Sequence, residues 1–185
     1  MAIQTDGKII AAGSSFIDTT YNFAVARYNT NGSLDATFGT GGLVTTLIAN
    51  NDEARAMAIQ TDGKIVLAGT IMQPDFSRAF GVVRYNTNGS LDASFNSTGK
   101  VITSVSPNND FAQAVALQVD GKIVVAGKAT PVGPEQFAVV RYNINGSLDN
   151  TWNGTGMITT AFGSTWDEAR SVVIQPDGRV IAGGG

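Results

Sequence analysis

The chain has 185 residues, a net charge of −3 and 15% charged residues, against roughly 25% in an ordinary soluble domain. Its basic residues are scattered, which excludes an electrostatic footprint for nucleic acid or for an anionic membrane surface. Cys and His are both absent, which excludes disulfides, thiolate nucleophiles, Ser-His-Asp and Cys-His catalysis, and the common zinc sites.

The 22 glycines, with only 5 prolines and many Asn, Asp, Ser and Thr, point to short strands joined by many tight turns, an all-β composition. No apolar run approaches the roughly 20 residues of a membrane helix, so no membrane insertion is expected. Met1–Asp6 carry neither a basic n-region nor an apolar h-region, so this segment reads as free of a signal peptide.

Along the chain the first marker is Asp6-Gly7, which returns at Asp62-Gly63, Asp120-Gly121 and Asp177-Gly178, at spacings of 56, 58 and 57. Arg-Tyr-Asn recurs at Arg27, Arg84 and Arg141, at spacings of 57 and 57. Asn-Gly-Ser-Leu-Asp recurs at Asn31–Asp35, Asn88–Asp92 and Asn145–Asp149. Three independent markers keep one period, and a fixed period is the signature of a repeat architecture. The chain divides into a partial start at 1–52, units at 53–110 and 111–167, and a partial unit at 168–185.

The second unit shows the elements of all. Strand one is expected near Glu53–Gln60, with Arg55, Met57 and Ile59 facing one way and Ala54, Ala56 and Ala58 the other. Asp62-Gly63 between two apolar runs reads as a two-residue type I′ hairpin. Strand two is expected at Lys64–Gly69, a loop at Thr70–Arg78 and strand three at Phe80–Asn86. A long loop at Thr87–Gly99 precedes strand four at Lys100–Ser104, and Val105–Asp110 leads to the next unit. Helix is a poor alternative, because Gly or Asn breaks every apolar run.

Four antiparallel strands per unit at this period predict β-propeller blades, about three and a quarter of them. The small faces Ala54, Ala56, Ala58 and Ala112, Ala114, Ala116 suit a first strand crowded at a central channel. Rings of this kind close with roughly four to eight blades. The chain is therefore expected to be part of a longer propeller, or to assemble with other copies of itself into a ring of six or seven blades.

Asp-Glu-Ala-Arg, Gln-x-Asp-Gly-Lys-Ile-Val-x-Ala-Gly and Phe-x-Val-Val-Arg-Tyr-Asn-x-Asn-Gly-Ser-Leu-Asp-x-x-Phe together resemble the delta-60 repeat family of bacterial β-propellers. The resemblance covers essentially the whole chain. It implies a secreted or surface-attached bacterial protein, and it brings no catalytic residues. Two departures stand out: Trp152 where the other units have Phe38 and Phe95, and Phe111-Ala112-Gln113 where they read Glu-Ala-Arg.

Comparison among units separates fixed turns from variable loops. Ser14–Asn22, Thr70–Arg78 and Lys128–Glu135 share almost nothing, nor do Leu47–Asp52, Val105–Asp110 and Phe162–Asp167. In an up-and-down blade both sets lie on one face of the disc, and variable loops on a rigid scaffold are where binding usually resides. Phe16, Tyr21, Phe76 and Trp166 are the aromatic candidates there, for a protein or glycan ligand. The plainer reading is that these rings cover blade edges.

The carboxylates Asp52, Glu53, Asp110, Asp167 and Glu168 are placed at the channel entrance. A hard cation needs about six to eight oxygens, and the plainer reading is that they cap turns or pair with Arg55 and Arg170. A glycosidase pair is a further reading, but recurrence in every unit argues for structure. The Asn-Gly-Ser-Leu-Asp loop lacks the ligand pattern of a calcium loop. Its Asn side chains are expected to bond their own backbone. Asp35, Asp92 and Asp149 are expected to pair with Arg27, Arg84 and Arg141. The expectation is a non-enzymatic scaffold with no cofactor and no metal; a lectin-like propeller with one site per blade is the alternative.

Overall fold

The computed structural model describes residues 1–163 and 166–185. Every regular element among them is a β-strand. The first sheet holds β1 (Ala2–Ile3), β2 (Ile9–Ile17), β3 (Thr20–Tyr28) and β4 (Leu43–Thr46). The second holds β5 (Asp52–Ile59), β6 (Ile65–Met72), β7 (Arg78–Tyr85) and β8 (Lys100–Thr103). The third holds β9 (Asp110–Leu117), β10 (Ile123–Ala129), β11 (Gln136–Tyr142) and β12 (Met157–Thr160), and β13 (Ala169–Ile174) pairs with β14 (Val180–Gly184). In each four-stranded sheet the strands lie side by side in chain order, all antiparallel. These are propeller blades, as the period predicted.

The sheets stack face to face. Ile10, Phe23 and Val25 of the first meet Ile65, Leu67, Val83 and Tyr85 of the second. The other face of the second, Val66, Ala68, Phe80 and Val82, meets Ile123, Val125 and Val140 of the third. A strand buried on both faces has no polar side to show, which is why Ile65-Val66-Leu67-Ala68 is an unbroken apolar run. The Tyr85 hydroxyl crosses between sheets to donate to Thr46 Oγ1 at 2.7 Å, and Tyr142 repeats this to Thr103 at 2.8 Å.

Two local expectations are corrected. Strand one does not alternate simply: Ala54 pairs with Gly69 and Ala56 with Ala68, so Arg55 is the extra residue of a β-bulge. The bulge shifts the faces. Ala54, Met57 and Ile59 turn toward the first sheet, so Ala54 does not share a face with Ala56 and Ala58. Gln113 and Arg170 hold the same bulged position in β9 and β13, so Ala112, Ala114 and Ala116 are split likewise.

The Asp-Gly turn is not the two-residue type I′ form. Gly63 N–H donates to Gln60 O at 2.9 Å and Gln60 N–H to Lys64 O at 2.8 Å. Only the glycine has positive φ, +83°. This is a three-residue loop closed by a left-handed residue. Asn86-Thr87-Asn88-Gly89-Ser90 folds the same way, with Ser90 N–H donating to Asn88 Oδ1 at 3.0 Å.

The fixed turns hold a buried staple. The Nε of Arg84 donates to Asp92 Oδ2 at 2.7 Å, and its guanidinium lies 4.7 Å over the Phe95 ring. Nη1 reaches the next unit, donating to Ile144 O at 2.6 Å. Lys64 stands 3.3 Å from the same carboxylate. Arg27 repeats the set with Asp35, Phe38 and Thr87 O, and Arg141 with Asp149 and Trp152. The expected Arg–Asp pairs therefore form, and Trp152 replaces Phe as the platform.

Burial alone would raise the Asp92 pKa. Hydrogen bonds from the Ser94 hydroxyl and N–H, with the Arg84 charge, outweigh it and bring the pKa to about 2. The ordinary value is 3.8, so the stabilisation is complete above that pH and is lost as pH falls through about 2. Asp92→Asn should therefore flatten the loss of stability between about pH 4 and pH 2. Urea midpoints measured across that range check it, and an unchanged slope would refute it.

Candidate binding face

The variable loops come together at one end of the sheets. Tyr21 N–H donates to Asn51 Oδ1 at 3.1 Å, and Arg78 N–H to Asn109 Oδ1 at 3.0 Å. Met72 N–H donates to Asn51 O at 3.0 Å. Each link joins a strand two–three hairpin to a connection between sheets, so the two sets share a face as expected. The loops themselves are shorter than predicted. Strands two and three run on, leaving only Asp18-Thr19 between β2 and β3 and residues 73–77 between β6 and β7.

This placement moves two of the aromatic candidates from loop to strand. Phe16 on β2 and Tyr21 on β3 are directly cross-strand, with ring centroids 5.0 Å apart in an edge-to-face pair, and Phe16 is 60% exposed. Phe76 is 76% exposed at the tip of the second sheet. Trp166 is 74% exposed on the connection between β12 and β13, with Lys128 Nζ 5.5 Å from its ring. Residues 164 and 165 of the Phe162–Asp167 loop lie outside the described residues. Among the described residues only Phe16 and Tyr21 of these four rings stack on each other.

Phe76 occupies an unusual backbone. Gln73-Pro74-Asp75-Phe76-Ser77 closes like the fixed turns, with Gln73 N–H to Ser77 O at 2.8 Å and Ser77 N–H to Asp75 Oδ1 at 3.0 Å. Phe76 takes the left-handed position that glycine fills elsewhere, at φ 66°. An L-residue there costs roughly 1–2 kcal/mol. Phe76→Gly should raise stability by about 1 kcal/mol, since glycine's greater unfolded freedom offsets part of the relief. A thermal melt checks this.

The carboxylates resolve into caps and pairs. Asp52 is fully buried and accepts from the N–H groups of Ile48 and of Ala49, the latter at 3.1 Å. Asp110 accepts from Val105 N–H at 2.7 Å and the Ser106 hydroxyl at 2.6 Å, and Asp167 from Phe162 N–H at 2.7 Å. Burial raises the pKa of Asp52 and Asp110, opposed by those hydrogen bonds. Glu53 pairs with Arg55, and Glu168 with Arg170 at 3.0 Å. Among the described residues no group of three or more acidic side chains is placed to hold a metal ion.

Sequence reasoning marked Phe111 as a departure from the repeat but did not single out Lys128 or Arg78. Lys128 on β10 lies 4.8 Å from the Phe111 ring and is held by both Glu135 oxygens at 2.8 Å. Arg78 on β7 lies 5.5 Å from the same Phe111 ring. The usable signal was Phe111 itself, which replaces the Glu of the other units.

A family model described as "Domain of unknown function (DUF5122) beta-propeller" matches residues 4–38, 60–95 and 118–151. The three matches cover more than half of the chain. Each begins just before an Asp-Gly turn and ends in or just after an Asn-Gly-Ser-Leu-Asp loop, so they repeat with the unit. No curated protein matches the chain.

Proposed function

Because the chain belongs to the DUF5122 family of β-propeller domains, we propose that it is a non-enzymatic interaction scaffold, of the narrower delta-60 type, binding protein or glycan through the variable-loop face. One observation carries the reading. On the fixed side the rings of Phe38 and Phe95 are buried beneath Arg27 and Arg84, whereas the variable side leaves the rings of Phe16, Tyr21, Phe76 and Trp166 open to solvent. Exposed aromatic rings on a rigid base make contact at little entropic cost. The rings differ from unit to unit, which favours distinct contacts over one lectin-like subsite per blade.

A glycan and protein array probed with the parent chain, with Tyr21→Ala and with Asp6→Asn on the opposite face tests this. Binding that falls only with Tyr21→Ala supports the face assignment. Binding that falls only with Asp6→Asn overturns it.

The partners we propose for the outer sheets are other copies of this chain. Leu43 on the open face of the first sheet stands where Lys100 of the second sheet faces its neighbour, and Ile181 stands where Val66 is buried against the third. Those positions are already interfaces within the chain. A stable 19.2 kDa monomer in light scattering would count against self-assembly.

A further inference from the structure

The chain has twelve Lys and Arg residues. Ten of them lie within ion-pair distance of a carboxylate. Lys100 donates instead to Leu47 O at 2.8 Å. That leaves Arg78. Among the described residues its guanidinium reaches no carboxylate and donates no hydrogen bond; it lies 5.5 Å from the Phe111 ring, at cation–π distance.

Three departures from the repeat meet at this point. Arg78 stands where the first and third sheets carry Tyr21 and Glu135. Phe111 stands where the second and fourth units carry Glu53 and Glu168, and Lys128 stands where the first and second carry Ser14 and Thr70. Had the repeat been kept, a carboxylate would face Arg78. Its replacement by a ring removes the partner and supplies an apolar plane. Lys128 ties the plane to a second ring, lying 4.8 Å from Phe111 and 5.5 Å from Trp166. Lys128 is itself neutralised by Glu135, so the uncompensated charge of the group is that of Arg78.

We propose that Arg78, Phe111 and Trp166 form a single subsite for a carboxylated sugar, a hexuronate unit of an acidic polysaccharide; the proposal rests on the variable-face reading above. A guanidinium fork matches a planar carboxylate through two parallel hydrogen bonds. The exposed indole offers a flat apolar surface to the C–H face of a pyranose. The Lys128–Glu135 pair borders it with a donor and acceptors suited to hydroxyl groups. A hexuronate carries carboxylate, apolar face and hydroxyls on one rigid ring. An acidic peptide carries its carboxylates on flexible stems, with no ring face for Trp166, and so loses more freedom on binding.

Calorimetric titration of the whole chain with trigalacturonate, neutral galactotriose and tetraglutamate tests the assignment. Trigalacturonate should bind at least about tenfold more tightly than galactotriose, as expected for a charge-assisted hydrogen bond. Arg78→Gln should remove that preference, bringing trigalacturonate to the affinity of galactotriose. Trp166→Ala should weaken both sugars. Melting curves of each variant confirm that it is folded. Equal affinity for the two sugars, an unchanged preference in Arg78→Gln, or Arg78-dependent binding of tetraglutamate without trigalacturonate overturns the sugar assignment. The variable-face reading falls separately, through the Tyr21→Ala and Asp6→Asn comparison on the array.

Discussion

Gly69→Ala should destabilise the protein by about 3 kcal/mol or more, at the upper end for an overpacked interior position, while Gly13→Ala at the same repeat position should change it by less than about 1 kcal/mol. A Cβ on Gly69 would lie 2.0 Å from the Glu53 carbonyl oxygen and 2.8 Å from the Ala54 Cα. Both are backbone atoms of the bulge around Arg55, so no side-chain rotation relieves the clash. Relief requires the bulge to move and the Ala54–Gly69 pairing to break. Gly127 meets the Phe111 carbonyl at 1.9 Å in the same way. Gly13 has no atom within 4 Å of a Cβ. Urea denaturation of the two variants is a comparison internal to the molecule. Equal midpoints would show that the bulge yields freely.

Arg84→Ala should cost about 3 kcal/mol, the low end for breaking a buried ion pair, because Lys64 remains beside the stranded Asp92. The side chain is nearly fully buried. Its loss removes the bond to Asp92, the 3.1 Å bond to the Ser94 hydroxyl, the contact with Phe95 and the bond to Ile144 O in the next blade. Arg84→Lys should recover little of this. An ammonium group has neither the fork that serves Asp92 and Ile144 together nor the flat face that lies on Phe95. Chemical denaturation of both variants, with Asp92→Asn for the pair, measures it.

The blade, its four strands and the division into fixed and variable sides were legible because each recurs, and recurrence can be read without knowing any contact. The Arg27–Asp35 kind of pair was legible for the same reason: both partners return together in each complete unit. The bulge was not. Glu53-Ala54-Arg55-Ala56-Met57 satisfies a simple alternation, and only the pairing of Ala54 with Gly69 and Ala56 with Ala68 reveals the extra residue. Asp62-Gly63 likewise suits two hairpin geometries, and the bond from Gln60 N–H to Lys64 O decides between them. On the variable face Phe16, Tyr21, Phe76 and Trp166 were visible as aromatic residues in divergent loops. Arg78 was not, since lacking a partner is a property of three dimensions.

The Arg27 and Arg84 staples each reach 60 residues forward, and the tyrosine bridges reach 39 residues back. These links stop at the adjacent unit, so their sequence separation stays the same however many units the array holds. Folding of such a chain can begin in any neighbouring pair and spread in both directions. A unit gained or lost by gene duplication would leave the remaining junctions chemically unaltered. The staple thus permits growth of the array as readily as it confers stability, and it leaves the opposite face free to diverge.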